Sequence, residues 1–136
     1  MRRVFVDSGG FFAHLVAEDP WHGSATALFQ AARDDGWRLI TTNAVIFEAY
    51  ALFLSRTTAG CRHAMAFLDH IERGLCIVVR VSARDEKRAI ALVRAHEDKT
   101  YSLCDALSFM VMERLHIREA IAFDRHFREY GRVTIL

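Results

Sequence analysis

Arg3-Val4-Phe5-Val6-Asp7-Ser8-Gly9-Gly10 opens the chain with a short apolar run that stops abruptly at an acid. A continuous apolar run with β-branched residues suits a strand buried on both faces, as in parallel sheets covered by helices. Working outward, the spacing predicts a short helix from Phe11 to Ala17, then a helix started by Asp19-Pro20 and stopped by Gly36. Asp is a good N-cap, and proline is tolerated in a first helical turn, where its missing N–H has no intrahelical partner. Trp37 to Thr41 reads as a second strand, and Asn43 as the cap of a helix through about Ser55. A helix from about Ala59 to Arg73 stops at Gly74, and Leu75 to Val81 reads as a strand buried on both faces. A polar helix from about Ala83 to Glu97 precedes one opened by Ser102 and reaching about Leu115. Glu119 to Phe123 and Arg132 to Leu136 are the last expected strands. Strand and helix in alternation imply parallel strands joined by right-handed crossovers. The expected fold is a three-layer α/β/α sandwich on a parallel sheet of about five strands.

The 136 residues suit a single domain, 1–136, since one hydrophobic core commonly serves roughly 100–200 residues. A hydrophobic share of 52% excludes intrinsic disorder. Lys and Arg number 18 against 17 Asp and Glu, so the net charge of +1 excludes a polycation that grips nucleic acid by bulk charge. Cys61, Cys76 and Cys104 are odd in number and lack metal-ligand spacing, so they read as small buried hydrophobes in a reducing compartment. Asp7 interrupts the N-terminal apolar run too early for a secretion signal, and Ala44–Leu54 is too short to span a bilayer at about 20 residues. A cytoplasmic protein with no membrane association is expected.

Most acids sit among other charges, as in Arg33-Asp34-Asp35, Asp85-Glu86-Lys87-Arg88 and Glu97-Asp98-Lys99, and read as solvated faces. Asp7, Glu48, Asp105 and Asp124 differ, because apolar residues crowd each of them. An unpaired buried carboxylate costs several kcal/mol or takes up a proton. In open parallel sheets the crevice lies beyond the carboxyl ends of the strands, where Asp7 and Asp124 fall. Glu48 lies in the second turn of the helix after the second strand. Asp105, three residues after Ser102, has the spacing of a capping box. Each also has a purely structural reading: a strand-end turn for Asp7, a helix start for Asp105, a cap for Asp124, a buried arginine partner for Glu48. Together they point elsewhere. Four adjacent carboxylates stay ionised only beside a cation, and an all-oxygen set suits Mg²⁺ or Mn²⁺. Ions held this way recur in enzymes that cut phosphodiesters.

The segments that carry these acids resemble the PIN-domain nucleases. They are Val4-Phe5-Val6-Asp7-Ser8, Thr41-Thr42-Asn43 with Glu48, Ser102-Leu103-Cys104-Asp105-Ala106-Leu107-Ser108-Phe109, and Ala122-Phe123-Asp124-Arg125-His126-Phe127. Within that family the chain is most similar to the VapC-type toxins of type II toxin–antitoxin pairs. The resemblance implies that Asp7, Glu48, Asp105 and Asp124 are the metal-binding and catalytic acids. Asp7 and Asp105 would ligate directly, Asp124 directly or through water, and Glu48 would position a water or a second ion. Ser8 and Asn43 would support them from behind. The implied reaction is Mg²⁺- or Mn²⁺-dependent hydrolysis of single-stranded regions of tRNA, rRNA or mRNA, leaving 3′-hydroxyl and 5′-phosphate ends. A homodimer silenced by a VapB-type antitoxin is implied as well.

Alternatives in the same family are a nuclease of RNA processing or decay and a non-catalytic binding module. Position 9 is glycine, which excludes a haloacid-dehalogenase-type phosphatase, and Gly9-Gly10 lacks the pattern of a phosphate loop. No late lysine or acidic pair marks a receiver domain. His126 and His22 are expected to face solvent or cap helices. Arg56, Lys99 and Arg125 have two readings, phosphate contacts or solvated surface, with surface the commoner role; Tyr101, Trp21 and Trp37 could stack bases, but aromatics at such positions are more often core.

Overall fold

The computed structural model describes all residues from Met1 to Leu136. Strand β1 (Arg3–Val6) occupies the middle of a five-stranded sheet whose paired strands all run parallel. On one side lie β2 (Arg38–Thr42) and then β3 (Ile77–Val79); on the other lie β4 (Glu119–Ile121) and β5 (Thr134–Ile135). Val4 pairs with Leu39 on one flank and Glu119 on the other. Val4, Phe5 and Val6 are fully buried, as their unbroken apolar run requires.

Alternation along β1 divides the core into two layers. Phe5 stacks toward Phe127, which meets Phe109 edge-on at 4.8 Å between ring centroids. These rings belong to α6 (Leu103–Arg114) and α7 (Arg125–Tyr130). Val6 faces the opposite way, toward α1 (Ser8–Leu15). There Phe11 and Phe12 pack on Phe29 of α2 (His22–Asp35), Phe53 of α3 (Asn43–Arg56) and Phe67 of α4 (Gly60–Glu72). The three-layer α/β/α sandwich expected from the sequence is present.

The chain winds from β1 through β2 to β3, then returns by α5 (Ala83–Ala95) and α6 to place β4 against the free side of β1. Strand order therefore reverses between β1 and β4, the place where parallel sheets open a crevice. Gly10 lets α1 approach this point closely. A Cβ there would lie 2.9 Å from the Ile121 carbonyl oxygen and 3.1 Å from the Ile121 side chain.

Several boundaries differ from expectation. Helix α1 begins at Ser8 rather than Phe11, because the extended Asp7 presents its carbonyl to the N–H groups of Gly10 and Phe11. Asp19 builds a turn, accepting the Trp21 N–H at 2.8 Å, and α2 starts only after it. Thr42, not Asn43, caps α3 through the Val45 N–H. The stretch from Leu75 to Val81 yields only a three-residue strand at the sheet edge, where Ile77 is 46% exposed; it is not buried on both faces. The last two strands are likewise shorter than their apolar runs. Helix α5 stops at Ala95, with a 3-10 turn at Glu97–Lys99 beyond it. Gly36 and Gly74 do end their helices in the left-handed region, at φ 69° and 84°. Cys61 is exposed rather than buried, whereas Cys76 is enclosed and burial pushes its thiol up to about 12. No helix is long and apolar enough to cross a membrane.

Alanine at position 10 would ordinarily gain up to about 1 kcal/mol in a helix. Here the clash is with backbone, so Gly10→Ala is expected to destabilise by about 1–3 kcal/mol, measured as a lower urea midpoint at unchanged m-value.

Candidate active site

Asp7 follows β1 directly, and its N–H donates to the Ile121 carbonyl at 3.1 Å, which pins it to the end of β4. Asp124 lies just past β4 and caps α7 by accepting the His126 N–H at 2.8 Å. Asp105 closes a capping box at the start of α6: Ser102 Oγ accepts the Asp105 N–H, and Asp105 Oδ2 accepts the Ser102 N–H at 3.1 Å. Glu48 projects from α3 and accepts a hydrogen bond from Ser8 Oγ. Strand ends and capped helix starts thus deliver Asp7, Glu48, Asp105 and Asp124 to one cleft of about 420 Å³, which Ser8 and Arg56 also line. Asn43 is not brought there; its side chain accepts the Val81 N–H at 3.0 Å and ties α3 to the segment after β3. No ion pair of the chain involves Glu48, so the buried-arginine alternative does not hold.

Asp7 is 2% exposed and Asp105 3%, while Asp124 is half-exposed toward the cleft. Burial, then the charge of Asp105, pushes the Asp7 carboxyl well above the usual carboxylate range. Burial likewise raises Asp105, with Asp124 adding to it and the Ser102 and His126 hydrogen bonds opposing it. Asp7 Oδ1 is enclosed and has no hydrogen-bond partner. An orphaned buried carboxylate oxygen is rare and calls for an explanation such as a bound ion. Atoms of Asp105, Asp124 and His126, one from each, lie within 4.8 Å of one another and could hold a metal ion.

A second capping box in the same chain provides an internal control. Ser82 and Asp85 open α5 with the same pair of hydrogen bonds, and Asp85 is as buried as Asp105. Burial alone would raise Asp85, but Arg114 forks onto both its oxygens at 3.0 and 2.9 Å and holds it below the ordinary range. Asp85 was expected to be solvated; its partner, 29 residues away, is visible only in the fold. The same motif at Asp105 has no guanidinium.

It has His126 instead. The ring is only 15% exposed, with Nδ1 at 2.9 Å from Asp105 Oδ2 and 3.4 Å from Asp124 Oδ1. His126 is therefore neither solvent-facing nor a cap through its side chain. The signal for it was the Asp124 cap, which turns the chain so that a residue two positions on folds back over the acids. Its Nε2 is enclosed and unpartnered. Trp21 also departs from expectation: 47% exposed, it lies over Phe123 at the cleft. His22, by contrast, bonds the Ala13 carbonyl through Nδ1 at 2.7 Å.

No family model matches the chain. The 23S rRNA-specific endonuclease VapC20 of Mycobacterium tuberculosis is 33% identical over 135 residues, covering 97% of each protein. The crystal structure of that VapC20, described as a sarcin–ricin loop cleaving toxin, superposes with a TM-score of 0.86 at 32% identity over 96% of both chains. VapBC2 from Rickettsia felis, bound to a fragment of its promoter DNA, matches with a TM-score of 0.71 at 11% identity over 98% of this chain and 97% of its own. FitAcB from Neisseria gonorrhoeae gives 0.66 at 11% identity over 98% and 96%. The latter two share the fold.

That fold is the PIN-like α/β/α sandwich of a nuclease class. The chain belongs to the VapC family of toxin endoribonucleases.

The raised Asp7 carboxyl has a consequence for stability. The folded protein retains a proton that the unfolded chain has already released, so stability falls as pH rises from the ordinary carboxylate range toward the raised value. In chelator at neutral pH, Asp7→Asn is expected to raise the Tm by about 2–5 °C, the effect of ~1 kcal/mol in a domain of this size. The gap between variant and wild type should close as the pH falls below about 4, where the wild-type carboxyl is protonated in both states.

Proposed function

We propose that this chain is a divalent-metal-dependent endoribonuclease that hydrolyses a single-stranded loop of ribosomal RNA, with one catalytic domain spanning 1–136. Its closeness over full length to a 23S rRNA-specific relative supports that substrate class. The observation that carries the mechanism is the enclosed, unpartnered Asp7 Oδ1 among three further acids that no arginine or lysine neutralises.

The donor set fits a hard divalent ion, Mg²⁺ or Mn²⁺, held by Asp7, Asp105 and Asp124, with Glu48 beside them. Such an ion supplies, when bound, a water acidic enough to attack near neutral pH and positive charge against the leaving oxygen. The protein's own groups orient the acids. Ser102 N–H and His126 Nδ1 both engage Asp105 Oδ2, and Asp105 Oδ1 takes no hydrogen bond. The His126 N–H engages Asp124 Oδ1 in the same way, leaving Oδ2 free. Ser8 anchors Glu48 from β1's end of the cleft. Arg56, which also lines the cleft, offers positive charge to an incoming phosphate. An unpaired loop suits such a cleft, because its backbone can approach the acids without a duplex groove intervening.

A VapB-type antitoxin that occupies the same cleft, and a homodimeric assembly, complete the reading. Membership of the VapC family supports the toxin role over general RNA processing, and the open acidic cleft supports catalysis over binding alone.

Incubation with an RNA hairpin carrying the sarcin–ricin loop tests the proposal. Cleavage is expected with Mg²⁺ or Mn²⁺ and none in chelator, with kcat/KM falling at least about 10²-fold in Asp7→Asn and in Asp105→Asn. Equal cleavage in chelator, or by both variants, contradicts it.

A further inference from the structure

Two large aromatic side chains of this protein stay exposed, Phe47 at 67% and Trp21 at 47%, and of the two only Trp21 lines the acidic cleft. Phe5, Phe11, Phe53, Phe67, Phe109 and Phe127 are essentially inaccessible, yet the Trp21 indole is 47% exposed. Leaving so large an apolar ring in water forgoes burial that would otherwise stabilise the fold. The ring is also held in place. It lies nearly parallel to Phe123, with ring centroids 5.5 Å apart and 10° between the planes. The Asp19 carboxylate accepts its backbone N–H at 2.8 Å, and its carbonyl accepts the Ala25 N–H at 2.9 Å to start α2. Phe123 immediately precedes Asp124, so the aromatic pair and the acids form adjoining walls of one cleft. This offset, near-parallel stack shields part of one face of the indole and leaves the ring 47% exposed at the cleft.

We propose that Trp21 is the stacking platform for one unpaired base of the RNA beside the cut phosphate, with purines preferred over pyrimidines. The inference rests on the reading of the cleft as the site of RNA cleavage. Splayed bases in single-stranded RNA stack on aromatic side chains, and every base has a π face to offer. Phe123 behind the indole continues the stack and prevents the ring from swinging away when a base arrives. A purine covers more of an indole than a pyrimidine does, which sets the preference. Arg56, in the same cleft, is placed to meet a phosphate of the same strand. Trp21 is thus a positioning residue: it fixes where the backbone lies relative to the acids and contributes through binding.

The test compares Trp21→Phe with Trp21→Leu, since both side chains can cover Phe123 but only phenylalanine offers a π face. With the loop RNA and Mg²⁺, Trp21→Leu is expected to lose about 5- to 100-fold in kcat/KM, mainly through KM, as stacking of one base predicts. Trp21→Phe should stay within about threefold of wild type, and both variants should melt near the wild-type temperature. Equal activity of Trp21→Leu and wild type, or equal loss in both variants, overturns the proposal. A second measurement does not depend on cleavage. The chain has two tryptophans, so Trp37→Phe leaves Trp21 as the sole tryptophan, read by excitation beyond the absorption of the three tyrosines. Saturable quenching by adenosine 5′-monophosphate with Mg²⁺, and weaker quenching by uridine 5′-monophosphate, is expected; no quenching by either overturns the proposal. If the wild type cuts no RNA, the cleavage reading fails, and the quenching result alone decides whether the indole takes a base.

Discussion

Mutual repulsion among Asp7, Glu48, Asp105 and Asp124 is the constraint around which this molecule is arranged. Strand order reverses between β1 and β4, and that reversal opens a crevice at the ends of the two strands. The acids come to it from β1, β4, α3 and α6. Within ion-pair distance the chain offers them one imidazole and no guanidinium or ammonium. Asp85 shows that the fold has the means to neutralise such a group, because an identical capping box there receives the fork of Arg114. At Asp105 that arginine is missing, and the carboxyl shifts upward instead of downward. Like charges are left uncompensated in the cleft, and the buried Asp85 outside it is compensated.

Rigid surroundings make this tolerable. Two aromatic layers grip β1 from either side, and the acid-bearing helix starts are fixed by caps. The cluster therefore has little freedom to relax by spreading apart. Groups held in position before a ligand arrives bind it without a further ordering penalty, which is the advantage of building a site on strand ends and helix termini. The same logic extends to the stacked Trp21 and Phe123, whose geometry is set before any base is present.

The sandwich and its acids were legible because both depend on local patterns. Val4-Phe5-Val6 reads as a doubly buried strand, and each of the four acids interrupts an apolar segment. The Ser102–Asp105 spacing announced the capping box that the structure contains. What escaped was non-local. Asp85 looks solvated beside Glu86 and Lys87, and only the packing of α5 on α6 brings Arg114 to it. The run from Leu75 to Val81 has the composition of a central strand, but strand order puts it at the edge, and order is not written in composition. His126 gave no periodic signal, since a six-residue helix is too short to show which face it turns inward. Trp21 looked like core because the turn set by Asp19, which lifts it to the cleft, leaves no mark in hydrophobicity.

Thermal melting against Mn²⁺ concentration addresses the charge argument without recourse to any substrate. An ion that relieves the repulsion binds only the folded chain, so the wild-type Tm should climb steadily with added Mn²⁺, by about 2.7 kcal/mol of stabilisation at 100 times the Kd. A chain carrying both Asp7→Asn and Asp105→Asn should melt at the same temperature whatever the ion concentration. An ion-independent wild-type Tm, or an equal rise in the double variant, would contradict the account.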